Sequence, residues 1–152
     1  EITTRLVGSE MCIRDRVNSI SSMPKTPQSS LILTLTHFIE SCQKEKKEMA
    51  ASGIFNVNTA MMNITISAFF ALPKMREYAF NWLSQEKVVW MNILEKAKEL
   101  KEIRSDINVE LFASIFENVF LGSYLSGIVY TDGYKIEQLE REVMQIYQLI
   151  KA

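Results

Sequence analysis

The chain has 152 residues, of which 47% are hydrophobic and 23% charged, and its formal net charge is -1 at pH 7. This length is typical of one domain, and the apolar fraction is sufficient to build a core without disulfides or a structural metal. The near-neutral charge, without any long Lys/Arg block, argues against the basic surface of a nucleic-acid-binding protein. We therefore expect this chain by itself to bind DNA poorly.

The residue types that usually carry catalysis are scarce. Cys12 and Cys42 are the only cysteines, too few for a disulfide framework or a metal quartet, and they predict a cytoplasmic location. The sole histidine, His37, points about 140° away from Cys42 on a straight helix, so the two cannot pair as base and nucleophile. Neither a metal-ligand spacing nor a phosphate-binding loop is present. We predict no catalytic residue, metal or cofactor, although residues distant in sequence can converge into an enzyme site.

The first 30 residues differ in character from the rest. The run LVGSEMCIRDR at Leu6 to Arg16 resembles the translation of a sequencing-adapter read-through, and the alternative is a natural but loose chain end. Residues 17–30 are rich in serine and contain two prolines that interrupt a helix. We predict that 1–30 is an artefactual or disordered segment and linker, followed by one helical domain over 31–152.

The first two predicted helices lie at about 31–48 and 53–73. The first has an apolar side formed by Leu31, Leu35, Phe38, Ile39 and Cys42. Ser52 is the expected N-cap of the second. That second segment has no charged residue, yet a polar stripe on one face favours a soluble helix over a membrane span. Asn58 and Thr65 fall on its apolar face, where their partners are either neighbouring carbonyls or a ligand.

Three more helices are predicted: one at about 74–100, one between Asn108 and a turn at 131–133, and one at about 135–151. The third contains both tryptophans, Trp82 and Trp90, which are core anchors unless Trp90 borders a cavity. Asn108 is the expected N-cap of the fourth helix, which is apolar on nearly every side. The pattern predicts an all-α fold, an antiparallel bundle of about five helices.

The last two helices also predict pairing with a second copy. Small residues four apart on the fourth helix let another helix approach closely, although packing within the monomer explains them as well. The fifth helix has an apolar seam with the three-four spacing of a bundle. The predicted four-helix dimer interface consists of Gly122, Ser123, Ser126, Gly127, Ile136, Leu139, Val143, Ile146 and Ile150.

Two motifs and the helix order suggest a family. The loop between the third and fourth helices reads Lys101, Glu102, Ile103, Arg104, Ser105, Asp106, Ile107 and Asn108, and an earlier segment reads GIFNVNTAMM with Gly53, Asn58 and Thr59. Over about 31–151 the chain resembles the C-terminal regulatory domain of TetR/AcrR-family transcriptional regulators, in which the loop has the form GEIRPDxD. Here lysine replaces the glycine and serine the proline. Ile54 stands where the family often has cysteine, so no thiol role is expected there.

The resemblance implies an effector-sensing, homodimeric domain of a regulator, a repressor, whose helix-turn-helix binds operator DNA. Residues 1–30 are too short and too rich in serine and proline to hold that motif, so DNA binding is expected only through a part missing from this chain. Ligand pockets are mostly apolar with a few polar groups. The predicted lining for a small apolar or amphipathic effector consists of Phe38, Cys42, Asn58, Met62, Thr65, Trp90, Met91, Phe116 and Tyr124. The alternative is a helical adaptor without a cavity.

Overall fold

The structure, a computed structural model, describes residues 30–72 and 74–152. The predicted N-terminal segment therefore lies outside the described residues, apart from Ser30. Within the described ranges the fold consists of helices without a strand, which confirms the all-α prediction. The five helices are α1 (Leu31–Ala51), α2 (Val57–Ala71), α3 (Met75–Glu99), α4 (Val109–Ser126) and α5 (Ile136–Ile150), with a short 3₁₀ turn at Gly127–Val129 between the last two.

Two predicted helix caps have different outcomes. Asn108 caps α4 as predicted, because its Oδ1 accepts the backbone N–H of Leu111 at 3.0 Å. The prediction for Ser52 is wrong, since Ser52 follows the last residue of α1 and its N–H donates to the carbonyl of Glu48 at 3.1 Å. Asn56 caps α2 instead, accepting the Thr59 N–H at 2.9 Å. Gly53 at φ 81 turns the chain after α1, which delays the start of α2 by several residues.

The core lies where α1, α3, α4 and α5 meet. Burial of one fully enclosed aliphatic side chain stabilises the fold by about 1.5–3 kcal/mol, so this cluster supplies most of the driving force for folding. α2 differs, because Asn58 and Ala68 are its only described side chains that are buried. The largest fully buried apolar side chains are Phe116, Leu31, Leu35, Ile93, Leu94, Ile103, Leu139, Ile150 and Val143.

The loop after α3 joins three helices. The carboxylate of Glu102 accepts the backbone N–H groups of Leu31 at 2.6 Å and Ile32 at 3.0 Å, so it caps α1 from 70 residues away. A carboxylate at a helix N-terminus satisfies free N–H groups and interacts favourably with the helix dipole. On the other side, the Arg104 N–H donates to the Ile150 carbonyl at 2.8 Å. The loop thus fixes the start of α1 against the end of α5.

Lys101 begins this loop in a conformation that favours glycine. Its φ is 58°, and among the described non-glycine residues it alone has a positive φ. A side chain in the left-handed region places Cβ too close to the following carbonyl oxygen. Lysine therefore occupies the position where glycine stands in the regulator motif that the loop resembles.

Replacing Lys101 by glycine is expected to raise the free energy of unfolding by about 0.5–1 kcal/mol, because relief of the left-handed strain outweighs the added freedom of the unfolded chain. Urea unfolding followed by circular dichroism measures the change. Lys98→Gly, one turn earlier inside α3, is the matched control and is expected to lower stability by a similar amount. A loss of stability in Lys101→Gly would show that the loop does not hold this backbone conformation.

Candidate functional site

Aromatic side chains from α1, α3 and α4 meet in one cluster. Trp90 stacks on Phe116, with ring centroids 5.2 Å apart and planes 11° apart. Phe38 contacts Trp90 edge-on at 5.8 Å and Phe120 edge-on at 5.3 Å. Phe120 continues the chain of contacts to Tyr124 at 5.9 Å. Four predicted lining residues, Phe38, Trp90, Phe116 and Tyr124, are therefore brought together.

The members of this aromatic cluster are buried to different degrees. Trp90 and Phe116 are 3% and 1% exposed, so both are core side chains. Phe38, Phe120 and Tyr124 are half-buried and pack against that core. A ring that is only half-buried has room to change rotamer without disrupting fully enclosed neighbours.

Tyr134 closes the other end of the cluster. Its ring lies 5.8 Å from that of Tyr124 and is almost fully enclosed. Burial, together with the nearby thiol of Cys42, raises the pKa of its hydroxyl above the ordinary range. The Nζ of Lys46 donates to the Tyr134 backbone carbonyl at 2.9 Å. Cys42, another predicted lining residue, thus lies at this end, where a neutral hydroxyl and a thiol are the polar groups.

Asn58 holds α2 against the turn between α4 and α5. It is fully buried, its Nδ2 donates to the Tyr124 carbonyl at 2.8 Å, and its Oδ1 accepts the Tyr134 N–H at 2.9 Å. Both polar atoms of the Asn58 carboxamide are therefore hydrogen-bonded to backbone groups. This is the first of the two alternatives, a neighbouring carbonyl or a ligand, that the sequence leaves open. We call this contact the Asn58 latch.

The Asn58 latch requires two glycines. A Cβ at Gly127 would lie 2.5 Å from the backbone nitrogen of Tyr134, and one at Gly133 would lie 2.5 Å from Oδ1 of Asn58. Gly133 also has a φ of 79°, which suits glycine. Gly127 is buried. The absence of a side chain at this position therefore serves packing inside the subunit rather than the approach of a second copy.

The remaining predicted lining residues are less central. Met91 is half-buried and packs against the core. Met62 and Thr65 on α2 are half-buried, and α2 reaches the rest of the fold mainly through the 3₁₀ turn and α3. These three therefore flank the aromatic cluster instead of forming it. Sequence reasoning missed Phe120 and Tyr134, whose only signal was their place near other aromatic residues.

The structure places most of the predicted α5 interface inside the subunit. Ile136 and Val143 are 6% and 1% exposed, while Leu139 and Ile150 are 0% exposed. α5 packs its apolar stripe against α1 and α4, and its exposed side chains are polar apart from Leu149. The expectation that the apolar seam of α5 is free for a second copy is therefore wrong. A helix at the edge of a fold has one apolar stripe, and α5 uses it to cover the core of its own subunit. Ile146 is half-buried.

α4 does leave an apolar face uncovered. Leu111 and Leu125 are 55% and 57% exposed, and Asn118 and Gly122 lie between them on the same side. A Cβ at Gly122 would meet nothing within 4 Å, so the subunit itself does not require glycine there. Ser126 is exposed and Ser123 half-buried beside this face. We call Leu111, Asn118, Gly122 and Leu125 the open α4 face.

A second exposed apolar surface lies on α2 and α3. Phe70 is 84% exposed and Phe80 70%, and Ile66 is also exposed on α2. Single exposed apolar side chains are ordinary, but large aromatic rings this open are not.

By length and composition alone, the span Val109–Val129 is apolar enough to cross a membrane.

Comparison with models of known protein families, with curated proteins and with solved structures gives no match. The site is therefore defined by its own geometry: an aromatic cluster with three half-buried rings, the Asn58 latch beside it, and an uncovered helix face. Among the described residues, no group of histidine, cysteine and carboxylate side chains is arranged to hold a metal ion.

Proposed function

We propose that this chain is the effector-sensing and homodimerisation domain of a transcriptional regulator of the TetR/AcrR type. Operator binding would be supplied by a part of the regulator outside these residues. The observation that carries the proposal is the loop at 101–108. Lys101 has the backbone conformation expected of the glycine in the motif, and Glu102 and Asn108 cap two different helices from the same short segment.

The effector in this proposal is a small apolar or amphipathic molecule. The aromatic cluster offers ring faces and edges, and its half-buried members Phe38, Phe120 and Tyr124 are the side chains that would move aside. Burial raises the pKa of the Tyr134 hydroxyl, which offers a neutral polar group to a guest at that end. The Asn58 latch ties the turn after α4 to α2, so a shift of Tyr124 would move both helices.

Effector control needs a difference in affinity between two arrangements of the protein. A guest that binds both arrangements equally shifts nothing. In this proposal the differential contact is made by Tyr124, whose backbone carbonyl accepts from Asn58 and whose ring contacts Phe120. The exposed rings of Phe70 and Phe80 would lie against the DNA-binding part of the regulator.

A helical adaptor without a cavity is the second candidate. The observation that favours it is the close stacking of Trp90 on Phe116, which leaves no space between those two rings. An adaptor would share the helices and the pairing but would not respond to small molecules. A ligand titration separates the two functions.

The test uses Trp82→Phe, so that Trp90 is the only tryptophan. A neutral aromatic dye, N-phenyl-1-naphthylamine, is expected to quench Trp90 fluorescence saturably and to raise the melting temperature, because a ligand of the native state stabilises it by mass action. Phe120→Ala should change the dye affinity at least about tenfold if the ring lines the site. Arg141→Ala, on the exposed side of α5, is the control. Linear quenching without a thermal shift would favour the adaptor.

A further inference from the structure

Glu86 is a carboxyl group in an unusual place on α3. Its Oε2 is buried and has no hydrogen-bond partner in the part of the chain that the structure describes. Glu86 lies one turn before Trp90, on the side of α3 that packs against α4. An unpartnered buried oxygen is costly when the group is ionised and much less costly when it carries a proton.

The charge of a second carboxyl group, that of Glu117 on α4, acts on Glu86. Glu117 follows Phe116 on α4, and Phe116 is the ring on which Trp90 stacks at 5.2 Å. Burial and the charge of Glu117, in that order, raise the pKa of Glu86 to about 7. Burial also raises the pKa of Glu117, and Lys87 opposes that shift. We call Glu86 and Glu117 the carboxyl pair.

Lys87 is the cation that acts on the carboxyl pair, through Glu117. Lys87 on α3 binds Glu110 of α4 at 2.9 Å, so its amine is directed to the end of the interface. α2 has no ionisable residue between Val57 and Ala71. On α1, Lys46 binds Asp132 and the Tyr134 carbonyl, and Glu45 acts on Tyr134. Three side chains that precede Glu45 on α1 are exposed: His37, Glu40 and Lys44.

We propose that the carboxyl pair is a proton-operated switch in the packing of α3 on α4. With one proton held by Glu86, the two groups lie side by side and Trp90 stays stacked on Phe116. When that proton leaves to water, two neighbouring carboxylates repel each other and the buried one seeks solvent. The helices then separate locally at this point. This inference stands apart from the proposed function, because it needs neither an effector nor a second copy.

The direction of the pH effect follows from proton linkage. Because the folded pKa of Glu86 is raised from 4.5 to about 7, the native state holds more protons than the unfolded state between these two values. The contribution of Glu86 to the free energy of unfolding is therefore fully present below about pH 4.5. It falls as pH rises through the window and levels off above about pH 7. This is opposite to the behaviour of a carboxylate in an ion pair.

The test follows Trp90 in the Trp82→Phe background between pH 5 and pH 8.5. We expect a red shift of Trp90 emission with a midpoint near pH 7 and a fall in melting temperature of at least about 5 °C across the same range. Glu86→Gln, which keeps the neutral shape, should remove both changes. Glu117→Gln should move the midpoint to lower pH, because the repelling charge is gone. Glu137→Gln, exposed on α5, is the matched control and should behave like the parent.

A direct reading on the unmutated carboxyl group completes the test. The ¹³C resonance of the Glu86 side-chain carboxyl, assigned by its loss in Glu86→Gln, should titrate near pH 7 in the folded chain. The proposal is overturned if that resonance titrates in the ordinary range of glutamate, or if Glu86→Gln retains the parent's emission change. A parent whose emission and melting temperature are independent of pH from 5 to 8.5 overturns it as well.

Discussion

Replacing Gly127 by alanine is expected to lower the free energy of unfolding by about 3 kcal/mol, the upper end of the range for overpacked sites. The added Cβ would lie 2.5 Å from the Tyr134 nitrogen and 2.8 Å from Cγ of Asn58. Because the first of these atoms belongs to the backbone, the strain cannot be relieved by a side-chain rotation. The turn would have to move away from α2, breaking the bonds of the Asn58 latch. Urea unfolding followed by tryptophan fluorescence measures the loss.

Gly122→Ala is the matched control for this prediction. It is the same substitution, five residues earlier, at a glycine whose Cβ would meet nothing within 4 Å. Alanine in an exposed helix interior is more favourable than glycine by about 1 kcal/mol, so a small gain is expected. Both variants are compared at chain concentrations low enough for the subunit to be monomeric. Equal effects of the two substitutions would contradict the close contact at Gly127.

Gly122→Arg is expected to weaken self-association at least about 100-fold without unfolding the subunit. The residue lies at the centre of the open α4 face, whose exposed positions Leu111, Asn118 and Leu125 carry no charge. In a two-fold symmetric pair, each copy would bring one arginine to the same small area, so both like-charge repulsion and steric blocking oppose the contact. Sedimentation velocity over a range of concentrations measures the dissociation constant.

The control for this variant is Gln145→Arg. It adds the same side chain on the exposed polar side of α5, away from the apolar positions of α4. Far-ultraviolet circular dichroism should be unchanged in both variants, since neither position is enclosed. If Gln145→Arg dissociates the protein and Gly122→Arg does not, the contact between copies lies on α5 and the open α4 face has another role.

The helices were accessible to sequence reasoning because their signals are local. Apolar residues three and four apart placed α3 and α5 within about two residues of their observed ends. Asn108 was identified as a cap because its partner, the Leu111 N–H, is three residues away. The same reasoning failed at Ser52, where Gly53 lets the chain turn and leaves Asn56 to start the next helix.

Contacts between distant residues were not accessible in the same way. Nothing in the run around Glu102 shows that its carboxylate caps a helix 70 residues earlier. Glu86 looks like an ordinary solvated residue in sequence, and its burial in the fold, followed by the charge of Glu117, makes it unusual. The apolar seam of α5 was read correctly as a seam, but periodicity alone does not reveal whether the surface it meets is α1 and α4 of the same subunit or a second copy.

The open α4 face is too small to form a stable interface with a second copy by itself. A stable interface buries about 800 Å² on each partner, and one helix face about 27 Å long falls short of that area. Neighbouring surface must contribute, and exposed Leu149 on α5 and Val129 in the 3₁₀ turn are apolar side chains that extend it. An interface of this composition has an apolar centre and a polar rim supplied by α5.

Sedimentation equilibrium of the unmodified chain tests the central claim most directly. The account predicts a dimer at micromolar concentration, because the open α4 face leaves apolar side chains in water that a second copy would cover. A compact monomer of 17.5 kDa across the whole micromolar range, with native circular dichroism, would contradict it.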